Sequence, residues 1–364
     1  MKNSGIIGKS SVKKKVPATV IILCYKRESF ILEAVKSVVN NGYPVEDLEI
    51  IVVKAFDNPA LEDALREMNC LIIHSDTQYI GHSFSSALST STGEIVFLLD
   101  DDDTFLPGKI STHLSMYEKF PDVEYIINGY EIIDSSGNPL RSDIRRKSRH
   151  LRDMYREFLL IKSDGIPNDI SYLSKGLGID FNSSRVSFRR SAIMPYLDYL
   201  QNINIHLDTG LFFVVYYFQG GILDIKHSLT GYRVHSENMS TRLASDKKTD
   251  SKMSGIIRYA ALTQNFYRYS REHLGIHVKD PKFTNYCLST EKTVNLFLLL
   301  ISRGKPRSVL TALGQQVIYS IKCRNLRLYY RTILLSFIIT ILGLASNRFL
   351  EAITLKYGVI PNLA

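Results

Sequence analysis

Short apolar runs alternate with longer amphipathic stretches from Ala18 to about Tyr130, and this alternation constrains the fold more than any other feature. A continuous apolar run is typical of a strand buried on both faces, whereas apolar residues spaced three and four apart indicate a helix. The alternation predicts βαβ units and a mostly parallel sheet flanked by helices. Strands are predicted at Ala18–Cys24, Leu48–Val53, Cys70–His74 and Glu94–Leu99, and helices at Ser29–Asn40, from Asp57 to about Met68, and near Ser83–Ser91.

The pattern changes after Tyr130. The segment Asp134–Pro139 (DSSGNP) is rich in turn-forming residues and predicts a hairpin. Arg141–Arg156 is rich in arginine and lysine, which is typical either of a solvated face or of a surface that contacts anions. Globular character resumes near Phe188, and from Glu291 the chain is predicted to be helical with interspersed basic residues.

Composition supports a folded, basic protein. The chain has 364 residues, of which 45% are hydrophobic, so a substantial core is expected and global disorder is excluded. The formal charge of +9 favours anionic partners, which include nucleic acid, phosphorylated ligands and anionic lipid surfaces. Charge alone does not choose among these three.

Cysteine spacing and the N-terminus indicate a reducing compartment. The four cysteines form no C-x-x-C pair, which argues against zinc and redox motifs and favours reduced, buried thiols. Residues 1–16 form a basic tail with no apolar run before its lysines, so this tail is not a secretory signal. We therefore expect the domain that follows to stay in the cytoplasm. For that reason we discount two matches to the glycosylation sequon, at Asn182–Ser184 and Asn238–Ser240.

Four consecutive carboxylates, Asp100–Asp103, directly follow the fourth predicted strand. The carboxyl end of a strand is the usual ligand crevice of an open α/β sheet. Carboxylate oxygens are the ligands that Mg²⁺ and Mn²⁺ prefer, and such a cation can neutralise charge on a diphosphate. The alternative is a solvated acidic loop, but the position after a core strand favours metal and phosphate binding.

Three segments, in order, resemble family 2 glycosyltransferases. Ala18–Arg27 (ATVIILCYKR) is similar to the first strand and nucleotide-contacting turn of that family, and Glu94–Pro107 (EIVFLLDDDDTFLP), with Gly93 before it and Lys109 after it, is similar to its D-x-D segment. The segment Tyr232–His235, with Ser236, Asn238 and Ser240, resembles the closing Y-R-x-H-x-x-x-x-S pattern. The resemblance covers roughly residues 17–240 and implies a GT-A fold, with an archaeal membrane-associated branch as the nearest pattern.

The resemblance also implies roles for individual residues. It implies a divalent metal, Mn²⁺ or Mg²⁺, held by Asp102, Asp103 and His235, although His235 has a second interpretation as a structural histidine. Nucleotide-sugar contacts are expected from a larger set of side chains. These are Cys24, Tyr25, Arg27, Asp57, Asp100, Asp101 and Arg233.

The second strand departs from the family pattern. Family members usually end this strand in V-D-D-G-S, whose acidic residues contact the nucleobase and ribose. Here Lys54 and Ala55 stand where the carboxylates are expected, and Asp57 is a substitute only if the loop is shifted. The donor base therefore cannot be inferred from the sequence.

Asp208 is the candidate catalytic base. The segment His206–Leu211 keeps the D-x-x-L part of the family's E-D-x-x-L pattern, in which an acidic residue deprotonates the acceptor hydroxyl. The alternative is that Asp208 is the N-cap of a helix that carries the apolar run Leu211–Phe218.

The C-terminal region contains the most apolar stretch of the chain, Thr332–Ala345, within the predicted helical region 241–364. A bilayer span needs about 20 apolar residues, so this stretch is either a short transmembrane helix, an interfacial helix, or a buried helix that pairs with another chain. Basic residues and tyrosines before it are typical of interface anchors, which favours membrane association.

The sequence therefore predicts an inverting glycosyltransferase of the hexosyltransferase type at the cytoplasmic face of the cell membrane. It would transfer a sugar from a nucleotide-sugar donor to a lipid-linked or glycan acceptor, with no nucleic-acid partner and an oligomeric state left open. A nucleotidyltransferase is one alternative, but it would usually show a glycine-rich loop after the first strand. A catalytically decayed membrane adaptor is the other, because the second strand departs from the family pattern.

Overall fold

The protein is described by a computed structural model. The described residues are 18–24, 27–75, 77, 79–140, 157–161, 170, 173, 178–179, 181–235, 238, 249–275, 281–301 and 311. The basic tail 1–16, the basic segment Arg141–Arg156, Tyr25 and the apolar stretch Thr332–Ala345 lie outside these residues.

Nine strands of the described residues form one sheet. The four predicted strands are confirmed to within one residue at either end. The strands are β1 Ala18–Cys24, β2 Leu48–Lys54, β3 Cys70–His74, β4 Ile95–Asp100, β5 Thr104–Phe105, β6 Val123–Ile133, β7 Phe158–Ile161, β8 Val186–Arg189 and β9 Gly221–Arg233.

Helices connect the strands and follow them. The three predicted helices are confirmed, and the third begins at Ile80, earlier than expected. The α-helices are α1 Ile31–Val39, α2 Pro59–Glu67, α3 Ile80–Thr90, α4 Lys109–Lys119, α5 Arg190–Ile193, α6 Leu197–Leu200, α7 Leu207–Val214, α8 Thr249–His273 and α9 Pro281–Ile301.

The strand order is β3-β2-β1-β4-β8-β6-β9-β5, and β7 pairs with β9. Strands β1 to β4 are parallel, as predicted. The remaining pairs are antiparallel except β6 with β9, so the whole sheet is mixed rather than mostly parallel. The difference arises because the regular alternation ends near Tyr130, and later strands are not separated by one crossover helix each.

Parallel pairing brings the ends of four strands to one edge. Cys24 lies opposite Lys54, Lys54 lies opposite His74, and Leu23 lies opposite Asp100. The carboxyl ends of these strands therefore form a single rim, at which the acidic residues after β4 emerge.

The sheet is buried on both faces, which explains the continuous apolar runs. Alternate residues of β1 belong to two separate cores: Ile21 and Leu23 pack with α3 and α7, whereas Val20 and Ile22 pack with α1, α2 and α4. Both faces of β1 and β4 therefore contribute to a core.

The C-terminal part of the described chain is helical. Helices α8 and α9 pack on each other, and aromatic residues of both contact Phe213 of α7. None of the helices in the described ranges combines the length and apolarity that a membrane crossing requires. The domain boundary near residue 240 stays a prediction.

Gly93, which precedes β4, lies against the backbone of β1. Its N–H donates to Thr19 Oγ1 at 3.0 Å. A Cβ added at Gly93 would lie 2.5 Å from Thr19 N and 2.8 Å from Ala18 C. A side chain at this position would therefore force the two parallel strands apart.

We expect Gly93→Ala to lower the free energy of unfolding by about 1–3 kcal/mol, because the added methyl group meets backbone atoms that cannot move alone. Thermal melting of the variant against the wild type measures this. Thr90→Ala, at an exposed helix position, is the control and should change stability by less than about 0.5 kcal/mol. An unchanged melting midpoint for Gly93→Ala would show that β1 and β4 are less closely packed than described.

Candidate active site

The four aspartates form a turn at the carboxyl end of β4, which we call the acidic turn (Asp100–Asp103). Asp101, Asp102 and Asp103 are 2%, 5% and 1% exposed, so a solvated loop is excluded. Burial raises the pKa of Asp101 to about 6, against the lowering effect of Arg27, and raises the pKa of Asp103 to about 7, with Asp102 adding to it. Burial and the three neighbouring carboxylates raise the pKa of Asp100 well above its usual range. The turn thus concentrates four carboxyl groups, and burial opposes the ionisation of Asp100, Asp101 and Asp103.

Arg27 provides the nearest compensating charge. Its guanidinium forms ion pairs with Asp101 and with Asp102, and its Nη1 lies 3.5 Å from His235 Nε2. Cys24 holds the Arg27 backbone by donating from Sγ to Arg27 O at 2.8 Å. Burial and Asp101 raise the pKa of the Cys24 thiol, so it remains neutral.

Arg233 supports the acidic turn from beneath and is fully buried. Its backbone N donates to Asp103 Oδ1 at 2.9 Å and its Nε donates to Asp102 O at 2.7 Å. Its Nη2 lies 2.6 Å from Glu33 Oε1, and its guanidinium lies 4.7 Å from the ring centroid of Phe30. These contacts give Arg233 a supporting role, and its direct contact with a donor stays a prediction.

Asp103 is held by residues that the sequence did not indicate. Asn182 Nδ2 and Ser184 Oγ donate to Asp103 Oδ2 at 2.8 and 2.7 Å. The Ser184 hydroxyl also accepts from Asp100 N at 2.9 Å. Both Asp103 oxygens therefore accept hydrogen bonds inside the fold, and the role of Asp103 as a metal ligand stays a prediction.

Asp102 faces the candidate metal site together with His235. His235 Nε2 lies 3.0 Å from Asp102 Oδ2, and Asn238 Nδ2 donates to the same oxygen at 3.2 Å. A carboxylate oxygen and an imidazole nitrogen are ligand types that Mn²⁺ and Mg²⁺ sites can use. Arg27 Nη1 donates to the same Asp102 oxygen, so the role of Asp102 and His235 as metal ligands stays a prediction.

Asp208 is linked to the acidic turn by one residue. Asn182 N donates to Asp208 Oδ2 at 2.8 Å, while the Asn182 side chain binds Asp103. Asn182 adopts a φ of 69°, which a non-glycine residue holds only when its surroundings fix it. His206 occupies the N-cap of α7, so the interpretation of Asp208 as the N-cap is wrong. Asp208 lies instead in the first turn, where Oδ1 accepts from Thr209 N at 2.8 Å.

The residues at the end of β2, where the sequence departs from the family pattern, form a polar cluster separate from the acidic turn. Lys54 is fully buried, and its Nζ pairs with Glu62 Oε1 at 2.6 Å. His74 lies 3.5 Å from both Asp57 and Glu62, and single ligand atoms of these three residues lie within 4.8 Å of one another. Asp57 is exposed and belongs to this group at the ends of β2 and β3. Its role in contacting the donor stays a prediction.

Lys109, from the D-x-D segment, is also fully buried. Its Nζ donates to Ser184 O and, at 3.0 Å, to Thr230 Oγ1. Burial, with Arg185 adding to it, lowers the pKa of Lys109 well below its usual range. Lys109 therefore anchors the Ser184 segment that holds the acidic turn.

The structure thus brings together Arg27, the acidic turn, Asp208 and His235, and places Arg233 beneath them. Tyr25 lies outside the described residues. Sequence reasoning missed Asn182 and Ser184 as site residues and noted them only as part of a sequon, whereas it noted Asn238 in the closing family pattern without giving it a role. The positions of Asn182 and Ser184 gave no signal, because their partner Asp103 is distant in sequence.

The family model for glycosyl transferase family 2 matches residues 19–175. This part of the chain is therefore similar to glycosyltransferase family 2. The match includes Arg27 and the acidic turn, whereas Asn182, Asp208, Arg233 and His235 lie beyond it.

Two curated relatives match over short stretches. An uncharacterized glycosyltransferase of Rickettsia conorii is 29% identical over 128 residues, which is 34% of this chain and 21% of the relative. A glucosyl-dolichyl phosphate glucuronosyltransferase of Haloferax volcanii is 29% identical over 113 residues, which is 29% of this chain and 35% of the relative. The chain thus covers about a fifth and a third of these relatives. One is bacterial and one archaeal, so the archaeal branch stays a prediction.

A solved structure extends the likeness to most of the fold. The crystal structure of S. aureus TarS 1–349 in complex with UDP-GlcNAc has a TM-score of 0.50 and 12% sequence identity, covering 86% of this chain and 91% of that chain. Together with the sheet described above, this likeness confirms the predicted GT-A fold.

Proposed function

We propose that this chain is a glycosyltransferase that moves a sugar from a nucleotide-sugar donor onto a lipid-linked or glycan acceptor. The observation that carries the proposal is the pairing of Asp102 with His235 at 3.0 Å, at the end of β4, with Asp208 tied to the same turn through Asn182. The family 2 domain supplies the first part of this constellation. A metal-binding pair and a nearby carboxylate are the groups that sugar transfer requires.

Donor binding is assigned to the acidic turn and Arg27. Asp102 and His235 would hold Mn²⁺ or Mg²⁺, which when bound neutralises charge on a nucleoside diphosphate leaving group. Arg27 is 23% exposed at its side chain, and its planar guanidinium suits bidentate contact with phosphate oxygens. Asp101 holds Arg27 in place by an ion pair. Asp103 positions the turn through Asn182 and Ser184.

Acceptor activation is assigned to Asp208. Its carboxylate is partly exposed and is oriented by two backbone N–H groups, so it is preorganised to accept a proton from a hydroxyl. One displacement, with the acceptor attacking as the diphosphate leaves, inverts the configuration at the sugar carbon.

The nucleobase of the donor is not assigned, and the relatives suggest which nucleotides to test first. The TarS structure contains UDP-GlcNAc, which favours uridine nucleotides as the first candidates for this chain. The H. volcanii relative is named for a dolichyl phosphate-linked substrate, which supports a lipid-linked acceptor.

Two alternative functions predict different results for nucleotide binding. A nucleotidyltransferase would bind nucleoside triphosphates and release pyrophosphate, whereas a decayed adaptor would bind no nucleotide. Isothermal titration of the full chain with UDP, GDP and UTP in the presence of Mn²⁺ separates these three cases.

We expect Asp102→Asn to abolish sugar transfer, because the amide weakens the metal and leaves His235 without its partner ligand. Metal removal by a chelator should have the same effect, reversed by Mn²⁺ or Mg²⁺. The measurement is release of nucleoside diphosphate from UDP- and GDP-sugars. Asp122→Asn, at an exposed turn before β6, is the matched control. Full activity in excess chelator would exclude a metal-dependent mechanism.

We expect Asp208→Asn to lower turnover by about 10²–10⁴ while the Kd for nucleoside diphosphate stays nearly unchanged, because only the proton acceptor is removed. Single-turnover transfer and calorimetry measure the two quantities. Asp198→Asn, an exposed aspartate of α6, is the matched control. If turnover persists and only thermal stability falls, Asp208 is a structural residue of the first turn of α7.

We propose that the apolar stretch Thr332–Ala345 and the basic residues before it attach the enzyme to the cytoplasmic face of the membrane. A chain that ends at Lys305 should move from the membrane fraction to the soluble fraction, because it loses apolar burial and about 1 kcal/mol for each nearby basic residue. Fractionation and a high-salt wash of the full chain measure this. Release by salt alone would indicate an electrostatic contact, and a full chain that is soluble without detergent would contradict insertion.

A further inference from the structure

Three partly exposed aromatic residues pack together beside Asp208. Tyr130 in β6, Tyr232 in β9 and Phe181 form a cluster that we call the aromatic platform. The ring centroids of Phe181 and Tyr232 are 5.7 Å apart, and Tyr130 lies 6.0 Å from each. The rings meet at 50–78°, in tilted or edge-on contacts.

The platform is held rigidly from below. Arg185 is 1% exposed, and its Cζ lies 5.0 Å from the centroid of the Tyr130 ring. Arg185 also donates to Asn128 O, Gly178 O and Phe181 O at 2.8, 2.9 and 3.1 Å. These bonds fix the backbone that carries Phe181, so the rings are preorganised.

The platform adjoins the candidate base directly. Phe181 precedes Asn182, whose N–H donates to Asp208 Oδ2 at 2.8 Å. Tyr232 precedes Arg233, which supports the acidic turn. From the opposite side, Tyr259 of α8 packs against His206, with ring centroids 5.6 Å apart. Burial, and then the charges of Asp208 and Tyr232, raise the pKa of Tyr259, so these groups share one environment.

Resting on the proposed function, we propose that the aromatic platform is the acceptor subsite and that it takes a sugar ring, so the reacting unit of the acceptor is a glycan. A sugar ring offers an apolar C–H face that packs on aromatic faces and a hydroxyl at its edge. Seated on the platform, that hydroxyl would face Asp208.

Local charge favours a neutral sugar over a lipid phosphate at this position. Asp208 lies next to the platform, because its Oδ2 accepts from the N–H of Asn182, which follows Phe181. An anionic phosphate oxygen placed there would meet the Asp208 carboxylate, whereas a neutral hydroxyl can donate to it. The Nε and Nη1 atoms of Arg185 donate to three backbone carbonyls. A lipid-linked acceptor would thus need at least one sugar already attached.

Saturation-transfer NMR on the full chain, with Mg²⁺ and nucleoside diphosphate present, tests this. The probes are methyl glycosides of glucose, galactose, mannose and N-acetylglucosamine, and farnesyl phosphate represents lipid phosphates. We expect saturation on the C–H protons of one face of a glycoside. Its apparent affinity should fall about two- to tenfold in Phe181→Ala and return in Phe181→Tyr.

Phe158→Ala is the matched control, since Phe158 is a partly exposed ring in another aromatic pair, with Phe120. It should leave glycoside binding unchanged. If Phe181→Ala fails to fold by circular dichroism, Tyr130→Ala replaces it. Glycoside binding equal in Phe181→Ala and wild type would overturn the proposal, as would farnesyl phosphate binding that needs Phe181. Calorimetry on the same samples keeps the two proposals separate: nucleotide binding without glycoside binding overturns this inference alone, and absent nucleotide binding overturns the proposed function.

Discussion

The structure depends on how it neutralises four adjacent carboxylates at the end of a buried strand. Like charges in a region of low dielectric repel strongly, and burial alone already raises the pKa values of Asp100, Asp101 and Asp103. Arg27 forms ion pairs with Asp101 and Asp102, and the backbone N–H of Arg233 donates to Asp103. Solvation could not do this, because three of the four side chains are at most 5% exposed. A buried cluster of carboxyl groups is suited to a cation, because a bound cation favours their ionised form.

A second tier of buried polar groups fixes where the carboxylates point. Lys109 holds the Ser184 carbonyl, Ser184 bridges Asp100 to Asp103, and Asn182 joins Asp103 to Asp208. Breaking one link would leave a buried polar atom unsatisfied, which costs about 1–3 kcal/mol. The orientation of Asp208 and of the acidic turn is therefore a single, coupled property of the domain.

Local pattern was enough to predict the part of the fold that is regular. The apolar runs and amphipathic stretches up to Tyr130 place β1 to β4 and their helices, since each element is fixed by burial on known faces. The position of the acidic run after β4 likewise pointed to the site. The burial of Lys54 and Lys109 could not be predicted, because a lysine is buried only when distant partners such as Glu62 and Ser184 receive it. The role of Asn182 depends on contacts 79 and 26 residues away.

These long sequence separations between contacting residues affect the order in which parts of the nascent chain can fold. The acidic turn leaves the ribosome long before its partners, since Arg233 N and Asp103 are 130 residues apart. A nascent chain that ends just after the acidic turn already contains Arg27. Arg233, the other arginine that contacts the turn, has not yet been synthesised. The first strands can pair early, but the rim of the sheet is complete only after Asn238 has been synthesised. The rim that carries the acidic turn is thus completed later than the strands that position it.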